Sequence, residues 1–191
     1  MMSRIAGGDR EAFGALFRRR QAEVYRFALH MTASAAAADD VTQDTFLAVI
    51  HHAARYVPGR AKVVPWLFGI ARNHARRRID RERRHVPLPD GDAGMASRAL
   101  AVETDPLGSL DRERRLDALR RALRALPVRY REAVVLCDLQ ELGYADAATA
   151  MGCAIGTIRS RLHRGRAMLA ARLRPGEFRG CLRMHLTGDV L

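Results

Sequence analysis

The stretch from Leu142 to Leu173, LGYADAATAMGCAIGTIRSRLHRGRAMLAARL, predicts a short helix, a tight turn and a longer basic helix. The first helix is expected over about Ala145–Met151, because every residue there is small or a good helix former. Gly152 follows, where a helix end favours a residue that tolerates positive φ. The second helix is expected from about Gly156 to Leu173. This order is typical of a helix-turn-helix.

The predicted second helix has one apolar face and one basic face. Its apolar positions fall at i, i+4, i+7 and i+11: Ile158, Leu162, Gly165 and Leu169. The other faces carry Arg159, Arg161, His163, Arg164 and Arg166, and no acidic residue occurs from 156 to 173. Such a face suits contacts to phosphates and base edges in a major groove. A solvated basic helix within a bundle is the alternative interpretation.

The composition favours a polyanionic partner. The 191 residues carry a formal net charge of +12 and a pI near 11.1, and Lys62 is the only lysine. Arginine suits bidentate contacts to phosphate and guanine. No apolar run approaches a membrane span, and the N-terminus lacks the apolar core of a signal peptide, so a cytoplasmic location is expected. The three cysteines form no CxxC pair, and we expect neither a metal nor another cofactor.

The N-terminal half predicts three helices. Asp9 can cap a helix from Arg10 to about Met31, and Ser34 can cap one over about Ala35–Ala54. The apolar stripe of this second helix is expected to include Ala38, Val41, Leu47, Val49 and Ile50. Beside the stripe, Asp40, Gln43 and Asp44 form one polar patch, which in isolation is most often a plain solvated face.

A loop over Arg55–Val64, with Pro58-Gly59 as its turn signal, precedes the third helix. That helix is expected over Trp66 to about Arg84, with Pro65 at its first position. It begins apolar and ends basic, so one end can anchor in a core while the other lies along a phosphate backbone. For Trp66 the spacing leaves two roles open, a core aromatic or a base-stacking residue.

The chain therefore predicts an all-α protein of two small helical domains. Residues 1–85 form the first, an irregular acidic linker covers 86–110, and residues 111–174 form the second, which contains the helix-turn-helix. Before the helix-turn-helix, a leucine periodicity ends at Pro127, which opens a helix over Val128 to about Leu139. Residues 175–191 are expected to form a tail outside both cores.

Four segments of the chain resemble, in order, those of bacterial extracytoplasmic-function (ECF) sigma factors, the promoter-recognition subunits of RNA polymerase. Together they cover about two-thirds of the sequence, and the third and the last are the most specific. They are DREAFGALFRRRQAEVYRFA at 9–28, ADDVTQDTFLAVI at 38–50, PWLFGIARNHARRRIDRERR at 65–84, and ALPVRYREAVVLCDLQELGY at 125–144 continued by GTIRSRLHRGRAML at 156–169.

The resemblance implies a role for three sets of residues. The docking patch, which would bind core RNA polymerase, is Asp40, Gln43 and Asp44. The −10 set, which would melt and read the −10 element, is Tyr56, Arg60, Lys62, Trp66, Asn73, Arg76 and Arg77. The −35 set is Thr157, Arg159, Ser160, Arg161, Arg164 and Arg166. Within it, the early residues are expected to contact bases, and Arg164 and Arg166 are expected to contact phosphates.

The sequence departs from the family pattern at two positions of the helix-turn-helix. Ala147 replaces a larger aliphatic residue, so that the unit should be thinly packed or compensated by contacts from elsewhere. Gly165 stands where alanine is usual, and should cost the helix up to ~1 kcal/mol.

The implied partners are core RNA polymerase and promoter DNA, and the existence of an anti-sigma factor stays open. Membrane insertion and enzymatic activity are not expected. A stand-alone helix-turn-helix regulator that binds duplex DNA unaided is the main alternative, and the segment WLFGIARN at 66–73 argues against it. A nucleic-acid enzyme is a weaker one, because no spaced set of carboxylates suggests a metal site.

Overall fold

A computed structural model describes residues 1–84 and 116–173. In the N-terminal part, the helices are α1 (Met2–Ala6), α2 (Arg10–Thr32), α3 (Ala35–His52) and α4 (Val63–Arg84), with a 3-10 turn over Ala53–Arg55. In the C-terminal part, they are α5 (described over 116–124), α6 (Val128–Val134), α7 (Tyr144–Met151) and α8 (Ile155–Ala170). The expected linker over 86–110 and tail over 175–191 lie outside the described residues.

Two helix starts are fixed by the side chains that the sequence indicated. The carboxylate of Asp9 accepts a hydrogen bond from the backbone N–H of Ala12 at 2.9 Å, and Ser34 Oγ accepts one from Ala37 at 3.3 Å. Each oxygen satisfies a donor that the first helical turn leaves without a backbone partner. The predicted caps of α2 and α3 are therefore confirmed.

The helix α4, which the sequence predicted as the third helix, begins earlier than expected. It starts at Val63 instead of Trp66, so that Pro65 lies at the third helical position. Proline is tolerated there because the backbone N–H groups of the first helical turn have no partner within the helix, so the missing N–H of proline costs no hydrogen bond. The preceding loop is correspondingly shorter, since the 3-10 turn takes residues 53–55.

The N-terminal core lies where α2, α3 and α4 cross. Its largest fully buried side chains include Leu16, Phe27 and Phe68, and the rings of Phe27 and Phe68 meet edge to face with centroids 5.5 Å apart. Such aromatic pairs add to the free energy gained from burial alone. The α3 stripe was only partly predicted: Val41 and Val49 are buried, whereas Leu47 and Ile50 are 47% and 48% exposed.

The C-terminal part contains the predicted helix-turn-helix. Gly152 ends α7 with φ of 61°, as the turn requires, and α8 follows after the extended residue Ala154. The helix expected over Val128–Leu139 is interrupted, because α6 gives way to a π-helical turn over Val135–Leu139. The extra residue in that turn changes which side chains face α8.

Gly165 has a structural reason that the sequence did not show. A β-carbon at this position would lie 2.7 Å from Val134 Cγ2 and 3.2 Å from the carbonyl oxygen of Tyr130. The α8 backbone therefore approaches α6 too closely for any side chain. The glycine lowers helix propensity, but it permits this contact between the two helices.

Candidate nucleic-acid interface

The helix α8 presents a basic surface on a buried apolar back. Ile158, Leu162 and Leu169 are 0–2% exposed, as the spacing predicted. On the opposite side, Arg159, Ser160 and Arg164 are exposed, while Thr157 and Arg161 are half-buried. Five members of the −35 set therefore lie outside the core, on a helix held by its own domain.

The sixth member, Arg166, differs from the others. Its guanidinium makes two hydrogen bonds to the carboxylate of Asp138, at 3.0 and 2.5 Å, and the Asp138 side chain is 4% exposed. The hydrogen bonds to Asp138 raise the pKa of Arg166 further above its ordinary value. The pair ties α8 to the π-helical turn, so this arginine is engaged within the domain.

The docking patch lies on exposed positions of α3, where α4 supplies its neighbours. Arg78 Nη1 donates to Asp40 Oδ2 at 2.9 Å, and His74 Nδ1 lies 3.7 Å from Asp44 Oδ2. Burial lowers the pKa of His74, against the opposing effect of Asp44, so that the imidazole is mostly neutral at pH 7. Two carboxylates of α3 therefore have basic neighbours on α4, and the sequence did not indicate these contacts.

An apolar strip extends the docking patch along α3. Leu47 and Ile50 are exposed and follow Gln43 at four and seven positions, which places them on the same helix face. The sequence did contain a signal for this, because the buried residues 38, 41, 45 and 49 recur at three and four and leave 47 and 50 outside the stripe.

The loop before α4 is organised by two aromatic residues of the −10 set. Tyr56 donates a hydrogen bond to the carbonyl oxygen of Ala61 at 2.7 Å, which closes the turn. Its ring meets that of Trp66 edge to face, with centroids 5.5 Å apart. Both are half-buried, so Trp66 is a packed aromatic that also keeps a solvent-accessible edge. Arg60 is exposed in the same loop.

On α4 and just before it, some members of the −10 set pair with carboxylates of the C-terminal part. Asn73 and Arg77 are exposed. Arg76 lies 2.5 Å from the fully buried carboxylate of Glu132 on α6, and Lys62 Nζ lies 3.1 Å from Asp146 on α7. Sequence reasoning missed Glu132 and Asp146, because contacts between distant segments leave no local pattern.

Neither a cluster of metal-ligating side chains nor an apolar helix of membrane length is found in the part of the chain that the structure describes. No group of three or more His, Cys, Asp or Glu residues within 1–84 and 116–173 is arranged to hold a metal ion. Among the same residues, no helix is both long and apolar enough to cross a bilayer.

Two family models match the chain, over segments that follow the two helical parts. Residues 16–85 match "Sigma-70 region 2" and residues 116–169 match "Sigma-70, region 4". The first contains the docking patch and the −10 set, and the second contains the −35 set. Both segments together include almost every described helix.

Curated relatives are similar over most of their length. The ECF RNA polymerase sigma factor SigM of Mycobacterium tuberculosis is 36% identical over 171 residues, which is 89% of this chain and 81% of the relative. The RNA polymerase sigma factor CarQ of Myxococcus xanthus is 37% identical over 164 residues, covering 86% and 90% of the two chains.

Solved structures are similar over both helical parts. The sigma factor RpoE of Bartonella quintana, solved with the anti-sigma factor NepR, has a TM-score of 0.67 at 30% identity and covers 87% of this chain and 99% of that one. CnrH, solved with the cytosolic domain of CnrY, has a TM-score of 0.65 at 26% identity, with 89% and 92% covered.

Proposed function

Because this chain belongs to the ECF sigma factors, which direct promoter-specific initiation by RNA polymerase, we propose that its three residue sets divide that function among them. Residues 1–85 would bind core polymerase and the −10 element, and residues 111–174 would bind the −35 element. The observation that carries the proposal is the exposed, acid-free basic surface of α8 on a buried apolar back.

For −35 recognition, we assign base contacts to Arg159, Ser160 and Arg161. They lie in the first turns of α8, the part of a recognition helix that enters the major groove. Arg164 lies one turn further and is exposed, which suits a phosphate contact. Arg166 stands apart, since its guanidinium already binds Asp138.

For the −10 element, we assign strand contacts to three exposed members of the −10 set, Arg60, Asn73 and Arg77. The half-buried Tyr56 and Trp66 offer ring edges beside them, and aromatic rings stack on unpaired bases. Lys62 and Arg76 belong to the same surface, but each faces an acidic residue of the C-terminal domain.

For core binding, we assign Asp40, Gln43 and Asp44, with Leu47 and Ile50 as an apolar extension. A face that combines exposed carboxylates with exposed aliphatic side chains suits a protein partner better than DNA, whose phosphates repel carboxylates. Promoter DNA and core polymerase would thus use different faces of the N-terminal domain.

The experiment compares core association of Asp40→Ala/Gln43→Ala with that of Glu11→Ala. Glu11 is an exposed carboxylate in the first turn of α2, outside the docking patch. We expect the double variant to co-purify with core polymerase much less than wild type, with an intact fold, and the control to behave as wild type. Equal co-purification of all three proteins would refute the docking patch.

Three further properties follow from the family. The chain would have no enzymatic activity of its own, and it would act in the cytoplasm, where core polymerase is found. An anti-sigma factor would be a further partner, since RpoE of Bartonella quintana was solved bound to one. The alternative, a regulator that binds duplex DNA unaided, is disfavoured because the matched segments include region 2 as well as the helix-turn-helix.

A further inference from the structure

The helices α6 and α8 touch at Tyr130. A β-carbon on Gly165 of α8 would lie 3.2 Å from the carbonyl oxygen of Tyr130 and 3.5 Å from its β-carbon, so the two backbones are in contact there. The residue before each of these, Arg129 on α6 and Arg164 on α8, is exposed. The contact therefore brings two arginines from separate helices to one edge of the C-terminal domain.

The side chain of Tyr130 links these two arginines. The guanidinium carbon of Arg129 lies 4.8 Å from the centroid of the Tyr130 ring, within the range of a cation–π contact. The pKa of Tyr130 lies below its ordinary value, chiefly because Arg164 hydrogen-bonds to the hydroxyl, with Arg129 acting in the same direction against the opposing effect of burial. Donors that share one acceptor oxygen lie within about 6 Å of each other. The phenol therefore holds two positive charges side by side.

No carboxylate of the described residues neutralises this pair of charges. Arg166, two positions further along α8, shows the contrast, because it is paired with the buried carboxylate of Asp138. Within residues 1–84 and 116–173, Arg129 and Arg164 form no ion pair of this kind. Two like charges held this close repel each other, and an anion between them removes the repulsion. The pair therefore has the electrostatics of an anion site.

A backbone phosphate of DNA matches the chemistry of this site. Its two free oxygens can each accept hydrogen bonds from one guanidinium group. The hydroxyl of Tyr130, which accepts from the arginines, still has its own O–H to donate. Arg164 also lies about one turn after Arg159 and Ser160, so an anion bound here lies beside the groove into which those residues project. Arginine and tyrosine are both common donors to DNA phosphates.

We propose that Arg129, Tyr130 and Arg164 form a site for one backbone phosphate of the duplex that α8 binds. Arg129 and Arg164 contact the phosphate, and Tyr130 is a positioning residue that holds both guanidinium groups. The site extends the DNA contact from α8 to α6. Such a contact fixes the orientation of α8 in the groove without reading a base. This inference rests on the proposed role of α8 in −35 recognition.

The test uses the full chain bound to core polymerase, with a labelled promoter duplex whose upstream element was selected with the wild-type chain. Arg129→Ala and Arg164→Ala, alone and together, remove the guanidinium groups. Tyr130→Phe removes the hydroxyl and keeps the ring that contacts Arg129. Arg121→Ala is the matched control, because Arg121 is an exposed arginine of α5 in the same domain, and its loss changes the net charge equally.

Each phosphate of the upstream element is replaced in turn by a neutral methylphosphonate, and the dissociation constant of each duplex is measured. Wild type should lose about three- to tenfold in affinity at one linkage, as expected for a charge-assisted hydrogen bond at a partly exposed site. At that linkage, the double variant Arg129→Ala/Arg164→Ala should lose nothing further, and Tyr130→Phe should lose less than wild type. On unmodified duplexes, Arg129→Ala should weaken all upstream sequences alike, and Arg121→Ala should match wild type.

Three results would overturn the proposal. The first is an Arg129→Ala chain that binds as tightly as Arg121→Ala. The second is the absence of any linkage at which wild type loses more affinity than the double variant. The third is a methylphosphonate effect in Tyr130→Phe as large as in wild type, which would leave the hydroxyl with a structural role only. Failure of the proposed function would look different, because Arg159→Ala and Arg161→Ala would then also leave the base preference unchanged.

Discussion

The two helices α4 and α8 both carry several arginines, but their arginines lie in different surroundings. On α8, Arg159 and Arg164 are exposed, and the helix is held by its own apolar back. On α4, Arg72 and Arg76 face the buried carboxylate of Glu132 in the other domain. A basic stretch therefore predicts a polyanion site, but the tertiary structure decides which of its arginines are free to bind.

The largest effect is expected from the exposed arginines of α8, and it concerns base preference in the −35 element. Arg159→Ala or Arg161→Ala should relax the preference at one or two base pairs of the −35 element, because a bidentate arginine–guanine contact discriminates by roughly 1–3 kcal/mol. Arg164→Ala should weaken all sequences alike and reduce the salt slope by about one. The measurement is selection of promoters from a randomised upstream element with each variant. Unchanged base preference in both early variants would show that α8 only positions the domain.

The next prediction concerns Gly165, on the buried face of α8, and the stability of the C-terminal domain. Gly165→Ala should destabilise the C-terminal domain by ~1–2 kcal/mol, since the overlap with Val134 Cγ2 outweighs the gain in helix propensity. Gly156→Ala is the matched control, because nothing lies within 4 Å of a β-carbon there. The measurement compares the thermal unfolding temperatures of the two variants. Equal stability would mean that α6 and α8 are not as close as described.

A smaller effect is expected from Arg166, the arginine of α8 that pairs with the buried carboxylate of Asp138. Arg166→Ala removes two hydrogen bonds from the buried carboxylate of Asp138, and should lower the free energy of unfolding by about 1 kcal/mol, since Arg166 is itself half-exposed. The measurement is urea unfolding of Arg166→Ala beside the control variant Arg159→Ala, whose arginine is exposed on the same helix. If the two variants are equally stable, the ion pair contributes nothing, and Arg166 becomes available as a phosphate contact.

The smallest effect is expected from the tail. Deletion of residues 177–191 should leave promoter-directed transcription within about twofold, because this segment follows the Pro175-Gly176 stop and has no strong apolar period. A large loss of transcription would instead mean that the apolar residues of the tail pack on a domain or on a partner: Phe178, Leu182, Met184 and Leu186.

Local sequence predicted the features that local physics determines. The caps Asp9 and Ser34, the turn at Gly152 and the buried face of α8 follow from side-chain chemistry and helical spacing within a few residues. They were correctly identified for that reason.

The remaining features depend on residues that are distant in the chain. The Arg166–Asp138 pair joins positions 28 apart, and the Glu132 cluster joins two domains. The exposure of Leu47 and Ile50 was missed for another reason, since both are apolar and lie at the border of the stripe, although the spacing of residues 38, 41, 45 and 49 leaves them outside it. The need for glycine at 165 is likewise visible only once α6 lies against α8.

Transcription of a promoter template by core polymerase, with and without this chain, tests the central claim most directly. A sigma factor whose α4 and α8 read the −10 and −35 elements should give transcripts that start at discrete sites, all preceded by the same two elements, and only when core and chain are both present. Equal transcription without the chain would contradict this account, and so would tight binding of the same duplex by the chain alone.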